Sequence, residues 1–320
     1  MPSSAVRTFS DPDDYAAAIR AVEVELTVTE PGRFSGKIVR IDLHRLWMQR
    51  LYDNLKRVAH SANGPERAII TFRIDPGPSQ LADGAEMHPN AILRHSRDHD
   101  YHQRSTGFAS LAGMSLPIEE MTSAAAALAG CDLKPPRDPL FVTPAPSAMA
   151  KLQRLHAAAG QLAENAPEVI AHPEAARGLE QALIEALVRC LSEGTAAEDR
   201  SAVRHHSQIL RQFCTAVEEH PDQPLYIPEI CAAIGVADRT LRVCCQEQLG
   251  MSPKRYLLLR RMHLARRALR DGAPGATSVT EIATRYGFWQ FGRFAGEYKA
   301  LFGEAPSATL YGPRHQQLPQ

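Results

Sequence analysis

Glu229-Ile230-Cys231-Ala232-Ala233-Ile234-Gly235 and Glu281-Ile282-Ala283-Thr284-Arg285-Tyr286-Gly287 repeat one pattern at an offset of 52 residues. Past each glycine the match continues. Leu241, Cys245, Gly250 and Pro253 answer to Phe294, Tyr298, Gly303 and Pro306 at an offset of 53, so the second copy has one more residue in its turn. An apolar helical stripe, a glycine stop and a second striped helix are the anatomy of a helix-turn-helix. Taken singly, such a pattern is more often an ordinary helical hairpin; an in-register duplicate reverses that weighting.

In the first copy, Ile230, Cys231 and Ile234 recur at helical spacing. Pro228 stands near the start, where a missing N–H costs nothing, and Gly235 can take the left-handed conformation that ends a helix. The next helix is expected to bury Leu241, Cys244, Cys245 and Leu249, with Asp238 available as its cap. Arg239, Arg242, Val243 and Gln246 then share the opposite face. In the second copy Ser278 or Thr280 caps the first helix. Its second helix is expected to bury Phe291, Phe294, Ala295, Tyr298, Leu301 and Phe302, leaving Trp289, Gly292, Arg293 and Gly296 outside. Two glycines inside a helix cost about 1 kcal/mol each relative to alanine. They imply a close backbone approach or weaker base reading here than in the first copy.

Between the copies, Pro253 to about Arg270 reads as one helix carrying Lys254, Arg255, Arg260, Arg261, Arg266, Arg267 and Arg270. About 18 residues at 1.5 Å rise form a rod of roughly 27 Å. With its turns, that rod would set two recognition helices about one DNA turn apart, near 34 Å, in successive major grooves.

The formal net charge is zero, which by itself argues against a nucleic-acid partner. The average hides an asymmetry. From Asp222 onward there are 13 Lys and Arg against 8 Asp and Glu, a balance of +5, and the first 221 residues carry −5. No apolar run has the length to span a bilayer, and Met1 to Asp14 is polar and acidic rather than a signal peptide. The expected location is the cytoplasm. The six cysteines form no C-x-x-C pair, and Cys231, Cys244 and Cys245 fall on expected core faces, so packing outweighs redox or metal sensing.

The first 134 residues read differently. A helix is expected from Pro12 to Val22, followed by strands at Glu23–Val28, Phe34–Leu43, Leu46–Leu51, Ala68–Ile74, Asn90–Leu93 and Phe108–Pro117, separated by Gly, Pro, Asp and Asn turns. Many short strands so punctuated predict an antiparallel barrel or sandwich. His88, His95, His99 and His102 invite a metal, but Arg94 to His102 is dense in charge and reads as a solvated loop, so no metal site is assigned. Trp47 and Arg73 are the candidate pocket residues. Ser147–Asn165, Glu174–Leu191 and Asp199–Glu219 have helical periodicity and could pack on the barrel, form a dimer surface, or do both. The chain thus divides into 1–134, 135–221 and 222–320, an α+β protein with an all-α C-terminal domain.

Ile230 to Gly235, Leu241, Gly250 to Tyr256, Arg260 to Leu269 and Ile282 to Pro306, with the Tyr286-Gly287-Phe288 turn, resemble the AraC/XylS family of transcription regulators over about Leu225 to Leu310. Gly287-Phe288-Trp289 and Phe302 to Leu310 are most similar to the branch of ethanolamine-utilisation regulators. The resemblance implies sequence-specific binding to promoter DNA, usually activation, with RNA polymerase and a second copy of the chain as partners. It also implies a cupin-like N-terminal sensor for a small-molecule effector, and no cofactor. The family's base-contacting positions fall on Arg239 and Val243, with Arg242 beside them, and on Gly292 and Gly296, where Gln290 and Arg293 are the nearest substitutes. Thr240, Gln246, Lys254, Arg255 and Trp289 complete the expected DNA face. The family's frequent serine is Ala237 here, which passes the cap to Asp238. Two other readings compete: a metal-dependent cupin-like enzyme with a DNA-binding tail, and a DNA architectural protein without an effector. No catalytic residues are assigned, because no convincing His-x-His with a following carboxylate and no Ser or Cys nucleophile motif occurs.

Overall fold

The structure is a computed structural model of the 320-residue chain. It describes residues 1–64, 66–97, 100–196, 201–219, 225–273 and 275–312. The chain forms two compact units: 1–26, 34–54 and 59–200 make the first, and 27–33, 55–58 and 201–320 the second. Among the described residues, no helix is long and apolar enough to cross a membrane.

Most of the first unit's strands are short and antiparallel. They run in chain order as β1 (Ser3–Phe9), β2 (Val22–Val28), β3 (Gly36–Asp42), β4 (Trp47–Asp53), β5 (Arg57–Asn63), β6 (Arg67–Arg73), β7 (Gln80–Ala82), β8 (Ala85–Glu86), β9 (Ile92–Arg94), β10 (Tyr101–Ser105), β11 (Ala109–Pro117), β12 (Leu140–Thr143) and β13 (Thr195–Ala196). They assort into one sheet ordered β1-β3-β4-β11-β6-β9-β12-β13 and a second ordered β2-β5-β10-β7-β8. Among the described residues no closed barrel is seen, which corrects the barrel expectation. The larger sheet instead buries one face, with Val39, Ile41, Met48, Ile70, Phe72 and Met114 among its residues, in a single cluster with helical side chains.

Those helices are α1 (Pro12–Ala17), α2 (Ile118–Ala129), α3 (Pro146–Asn165), α4 (Pro167–Ala171) and α5 (Pro173–Ser192). The first is shorter than expected. The Asp11 carboxylate caps its start, accepting from Asp13 N at 2.9 Å and Asp14 N at 3.1 Å. The helix stops at Ala17 because Arg20 N turns away to Gln49 Oε1 at 3.0 Å and Ala21 has φ 68°. Helix α2 left little periodic signal: its buried residues are Met121 and Ala125 in an alanine-rich run.

Among the described residues of Arg94 to His102, the solvated-loop expectation fails. His95, Ser96, Tyr101 and His102 are buried, and Tyr101 opens β10. His95 reaches Thr71 Oγ1 through Nε2 at 2.8 Å and lies 4.3 Å, ring to ring, from Tyr101, which accounts for one of its two ring nitrogens. His99 lies outside the described residues. Among those described, no group of three His, Cys, Asp or Glu is placed to hold a metal ion.

Burial pulls His95 down to about 3, and burial with the nearby Arg50 does the same to His156. Both are therefore neutral when folded, whereas the unfolded chain takes up their protons near pH 6.5. Their contribution is complete above pH 6.5 and is lost as pH falls from there toward 3, at about 1.4 kcal/mol per pH unit for each ring. Unfolding midpoints between about pH 7.5 and 5 should drop, and His156→Gln should flatten the slope by about one proton. An unchanged slope in His156→Gln would contradict the neutral burial of that ring.

The second unit contains α6 (Ser201–Glu218), α7 (Ile227–Ile234), α8 (Asp238–Leu249), α9 (Pro253–Asp271), α10 (Val279–Arg285), α11 (Phe291–Phe302) and α12 (Pro306–Leu310). It has two cores. Leu241, Cys244, Cys245 and Leu249 of α8 join Ile230 and Cys231 of α7 and Leu210 and Phe213 of α6. Phe294, Tyr298 and Leu301 of α11 join Ile282 and Ala283 of α10 and Leu310 of α12. Helix α9 serves both: Tyr256 and Leu257 enter the first core, and Leu259, Met262, Ala265 and Leu269 enter the second. Sharing one helix of about 28 Å makes each helix-turn-helix part of a three-helix unit. Burial pushes the Cys214 and Cys245 thiols up, so they pack as protonated groups.

Candidate nucleic-acid interface

Each unit's turn is built as its sequence requires. Gly235 takes φ 70° after α7, and Gly287 takes φ 75° after α10. Three residues separate Gly287 from Phe291, against two between Gly235 and Asp238, which locates the repeat's extra residue in the turn. Ser278 rather than Thr280 caps α10: its Oγ accepts from Glu281 N at 3.2 Å while Glu281 Oε2 accepts from Ser278 N at 2.7 Å. The first recognition helix lacks such a cap. Ala237 occupies the N-cap position without a side-chain bond, and Asp238 is the first helical residue.

Asp238 is engaged elsewhere. Its Oδ2 accepts from Arg242 Nε at 2.9 Å and pairs with Arg242 Nη2 at 2.8 Å, one helical turn on. Arg239 has no hydrogen-bonding partner among the described residues, and it is exposed. Val243 is 43% exposed, Gln246 is exposed and Thr240 is half-buried. Asp238, Arg239, Arg242, Val243, Gln246 and Ser252 line an open groove of about 450 Å³. Beside it, Ser252 caps α9 by accepting from Arg255 N at 3.3 Å, and Lys254 and Arg255 project from that N-terminus into solvent. A helix N-terminus with two exposed cations is an anion-binding arrangement suited to a phosphate.

The rest of α9 corrects the expectation of a basic rod. Arg260 is buried, 6% exposed, and donates from Nη1 to Val217 O at 3.4 Å. Arg261 and Arg266 lie over the rings of Phe288 and Phe302 at 5.4 and 5.2 Å. Because both cores close on α9, its long side chains spend their stems as packing. Sequence charge alone could not distinguish these arginines from Lys254 and Arg255.

The second recognition helix presents Trp289, 72% exposed, with Gln290, Gly292, Arg293 and Gly296 also exposed. Arg293 is held by Glu297 Oε1 at 2.8 Å. A Cβ added at Gly292 or Gly296 would meet nothing within 4 Å, so the smallness is not required by internal packing. Phe291, expected in the core, is 43% exposed. It sits at the first helical position, where the side chain precedes the buried stripe that Phe294, Tyr298 and Leu301 define.

The two pocket candidates separate. Arg73 is buried and pins a turn, donating from Nη2 to Gly77 O at 2.8 Å and Pro78 O at 3.2 Å. Trp47 is half-buried, with the Arg67 and Arg20 guanidiniums over its ring at 3.7 and 4.5 Å.

Residues 230–311 match a family model described as a helix-turn-helix domain. Over 102 residues the chain is 44% identical to the "Probable thc operon regulatory protein" of Rhodococcus erythropolis, covering 32% of this chain and 31% of that protein. Over 94 residues it is 34% identical to the XylDLEGF operon transcriptional activator of Pseudomonas putida, covering 29% of each. Among solved structures, a probable AraC family transcriptional regulator from Rhodopseudomonas palustris CGA009 is 33% identical over 34% of this chain and 97% of its own, with a TM-score of 0.31. The chain spans less than a third of the length of these curated relatives. Two helix-turn-helix units on one shared helix, in a segment with these matches, make the C-terminal part of this chain a DNA-binding domain of the AraC/XylS family of transcriptional regulators.

Proposed function

We propose that the whole chain is a sequence-specific transcription activator that binds promoter DNA as a dimer and responds to a small-molecule effector. The observation that carries this is the exposed α8 face, where Arg239, unpaired among the described residues, stands beside Val243 and Gln246 over an open groove. Arginine can pair bidentately with guanine O6 and N7, and valine can touch a thymine methyl. Lys254 and Arg255 would then hold backbone phosphate. The second unit, with glycine at both matching positions, contributes mainly backbone and Trp289 contacts. Residues 1–134 would act as the sensor, 135–221 as linker and dimer surface, and 222–320 as the reader. The Gly287-Phe288-Trp289 string supports placement near ethanolamine-utilisation regulators, and RNA polymerase would be the partner at the promoter.

Footprinting on DNA from upstream of candidate promoters tests the reading. Protection should span about two helical turns per protomer, and affinity should fall steeply as salt rises. Protection of random and specific DNA to the same degree would instead favour an architectural role.

A further inference from the structure

On the face of the larger sheet opposite its helix-packed side, one edge collects positive charge around Trp47. Asp42 pairs across β3 and β4 with Trp47, and Trp47 pairs with Ser115 of β11. Arg40 stands two residues from Asp42 on the same strand, and Arg67 begins β6. Arg20 arrives from the turn before β2, locked by Gln49, whose Oε1 accepts from Arg20 N and whose Nε2 donates to Arg20 O, each at 3.0 Å. Two guanidiniums therefore meet one carboxylate: Arg20 Nη1 lies 2.6 Å from Asp42 Oδ1, and Arg40 Nε lies 3.8 Å from Asp42 Oδ2, while the Arg67 guanidinium lies over the Trp47 ring at 3.7 Å. Arg67 is anchored by Ser115 Oγ, Ser115 O and Arg45 O, at 3.1, 2.6 and 2.7 Å, so it cannot swing away. Arg45 itself is paired with Glu120 and Glu180 and adds no free charge.

Like charges held this close repel unless something negative joins them. Burial, then Arg20, pull the Arg67 guanidinium down to about 10, while Asp42 acts the other way. The anchors leave one edge of each cation open. Arg20 Nη2, Arg67 Nη1 and both terminal nitrogens of Arg40 have no hydrogen-bonding partner among the described residues. Beside them the sheet has a gap. Gly113 of β11, two residues from Ser115 and paired with Gln49 and Thr71, is half-buried, and a Cβ there would meet only Gln49 Cβ, at 3.9 Å. Space and unspent guanidinium donors converge beside a tryptophan ring that two of the guanidiniums already cover.

We propose that Arg20, Arg40 and Arg67 around Trp47 form a binding site for a small oxyanion-bearing metabolite, a carboxylate or a phosphate ester, whose body rests toward Gly113. Guanidiniums present forks that match either oxyanion bidentately. The same positive edge works against a cationic amine such as ethanolamine. The inference rests on the reading of the first unit as a sensor only for its effect on DNA; the binding itself stands apart from it.

The chain has two tryptophans, Trp47 and Trp289, so full-length Trp289→Phe leaves Trp47 as the sole reporter of this site. Titration with succinate, and separately with inorganic phosphate, at constant ionic strength set by chloride, should change Trp47 emission saturably with at least one probe. Response to succinate alone assigns a carboxylate, and response to phosphate alone assigns a phosphate ester. Arg40→Gln, which breaks no bond to backbone, should raise the midpoint about tenfold or more, and Arg40→Lys by less. Arg67→Gln tests the same point where its anchoring role is tolerated. No saturable change by about 10 mM of either probe, which would fill nine-tenths of a 1 mM site, overturns the proposal. So does a response that Arg40→Gln leaves unmoved. Parallel footprints of the unsubstituted chain separate the two readings. A Trp47 response without altered protection keeps the site and removes its regulatory meaning, and altered protection by some other metabolite without a Trp47 response does the reverse.

Discussion

Arg239→Ala is expected to cost about 1–3 kcal/mol on the cognate operator and to flatten base preference at one position, leaving affinity for random DNA nearly unchanged. The reason lies in the contrast with its neighbour. Arg242 is already bound at two nitrogens by Asp238, so any base contact it makes must first break that pair. Arg239 has no such competitor among the described residues. Lys254→Ala should behave oppositely, weakening specific and random DNA alike and lowering the slope of log affinity against log salt by about one. Asp238→Asn provides a further check. By releasing Arg242 it should raise overall affinity and shift preference near the Arg242 position. Equal losses for Arg239→Ala on specific and random DNA would remove its assigned role as a base reader.

Tyr298→Ala is expected to destabilise the second helix-turn-helix by about 3–5 kcal/mol, the range for losing a large buried ring. Tyr298 is fully buried, with ring centres 5.6 Å from Phe294 and 4.6 Å from Phe302. Its hydroxyl lies 2.8 Å from Thr309 Oγ1, which itself donates to Glu304 Oε1 at 2.8 Å. Tyr298→Phe keeps the ring and leaves Thr309 with Glu304, so it should cost only about 0.5–1.5 kcal/mol. Chemical denaturation of both variants measures the difference. Because α9 contributes Leu259, Met262 and Ala265 to this core, the loss should reach the shared helix and shorten the footprint from two grooves toward one. Similar costs for the two substitutions would mean that the hydroxyl network, rather than ring packing, holds the unit together.

The doubled helix-turn-helix was legible because its signals are local. Ile230 and Ile282 mark stripes that close within one turn of helix, and Gly235 and Gly287 mark stops that a left-handed residue must fill. The outward placement of Arg239 and Val243 follows from the same period. The first unit was less legible. Strands Glu23–Val28 and Phe108–Pro117 lie within a residue of β2 and β11, yet β1, β5 and β10 carry polar residues such as Arg7, His60 and His102 that read as loop. Their place in strands depends on partners far away in the chain, as β1 on β3. His95 illustrates this, since its neutrality rests on burial that the folded sheet provides, beside Thr71 and Tyr101.

Charge shows the limit most clearly. By itself the sequence determined that two helix-turn-helix units share one basic helix, because helical period and glycine stops act over a few residues. Only the tertiary structure decided which cations remain available. It enclosed Arg260, laid Arg261 and Arg266 on aromatic rings, tied Arg242 to Asp238, and brought Arg20 and Arg67 from separate segments onto one tryptophan, with Arg40 joining Arg20 at Asp42. A formal charge is a property of a residue type. Its usefulness to a ligand depends on desolvation and on the nearest counter-charge, and folding sets both.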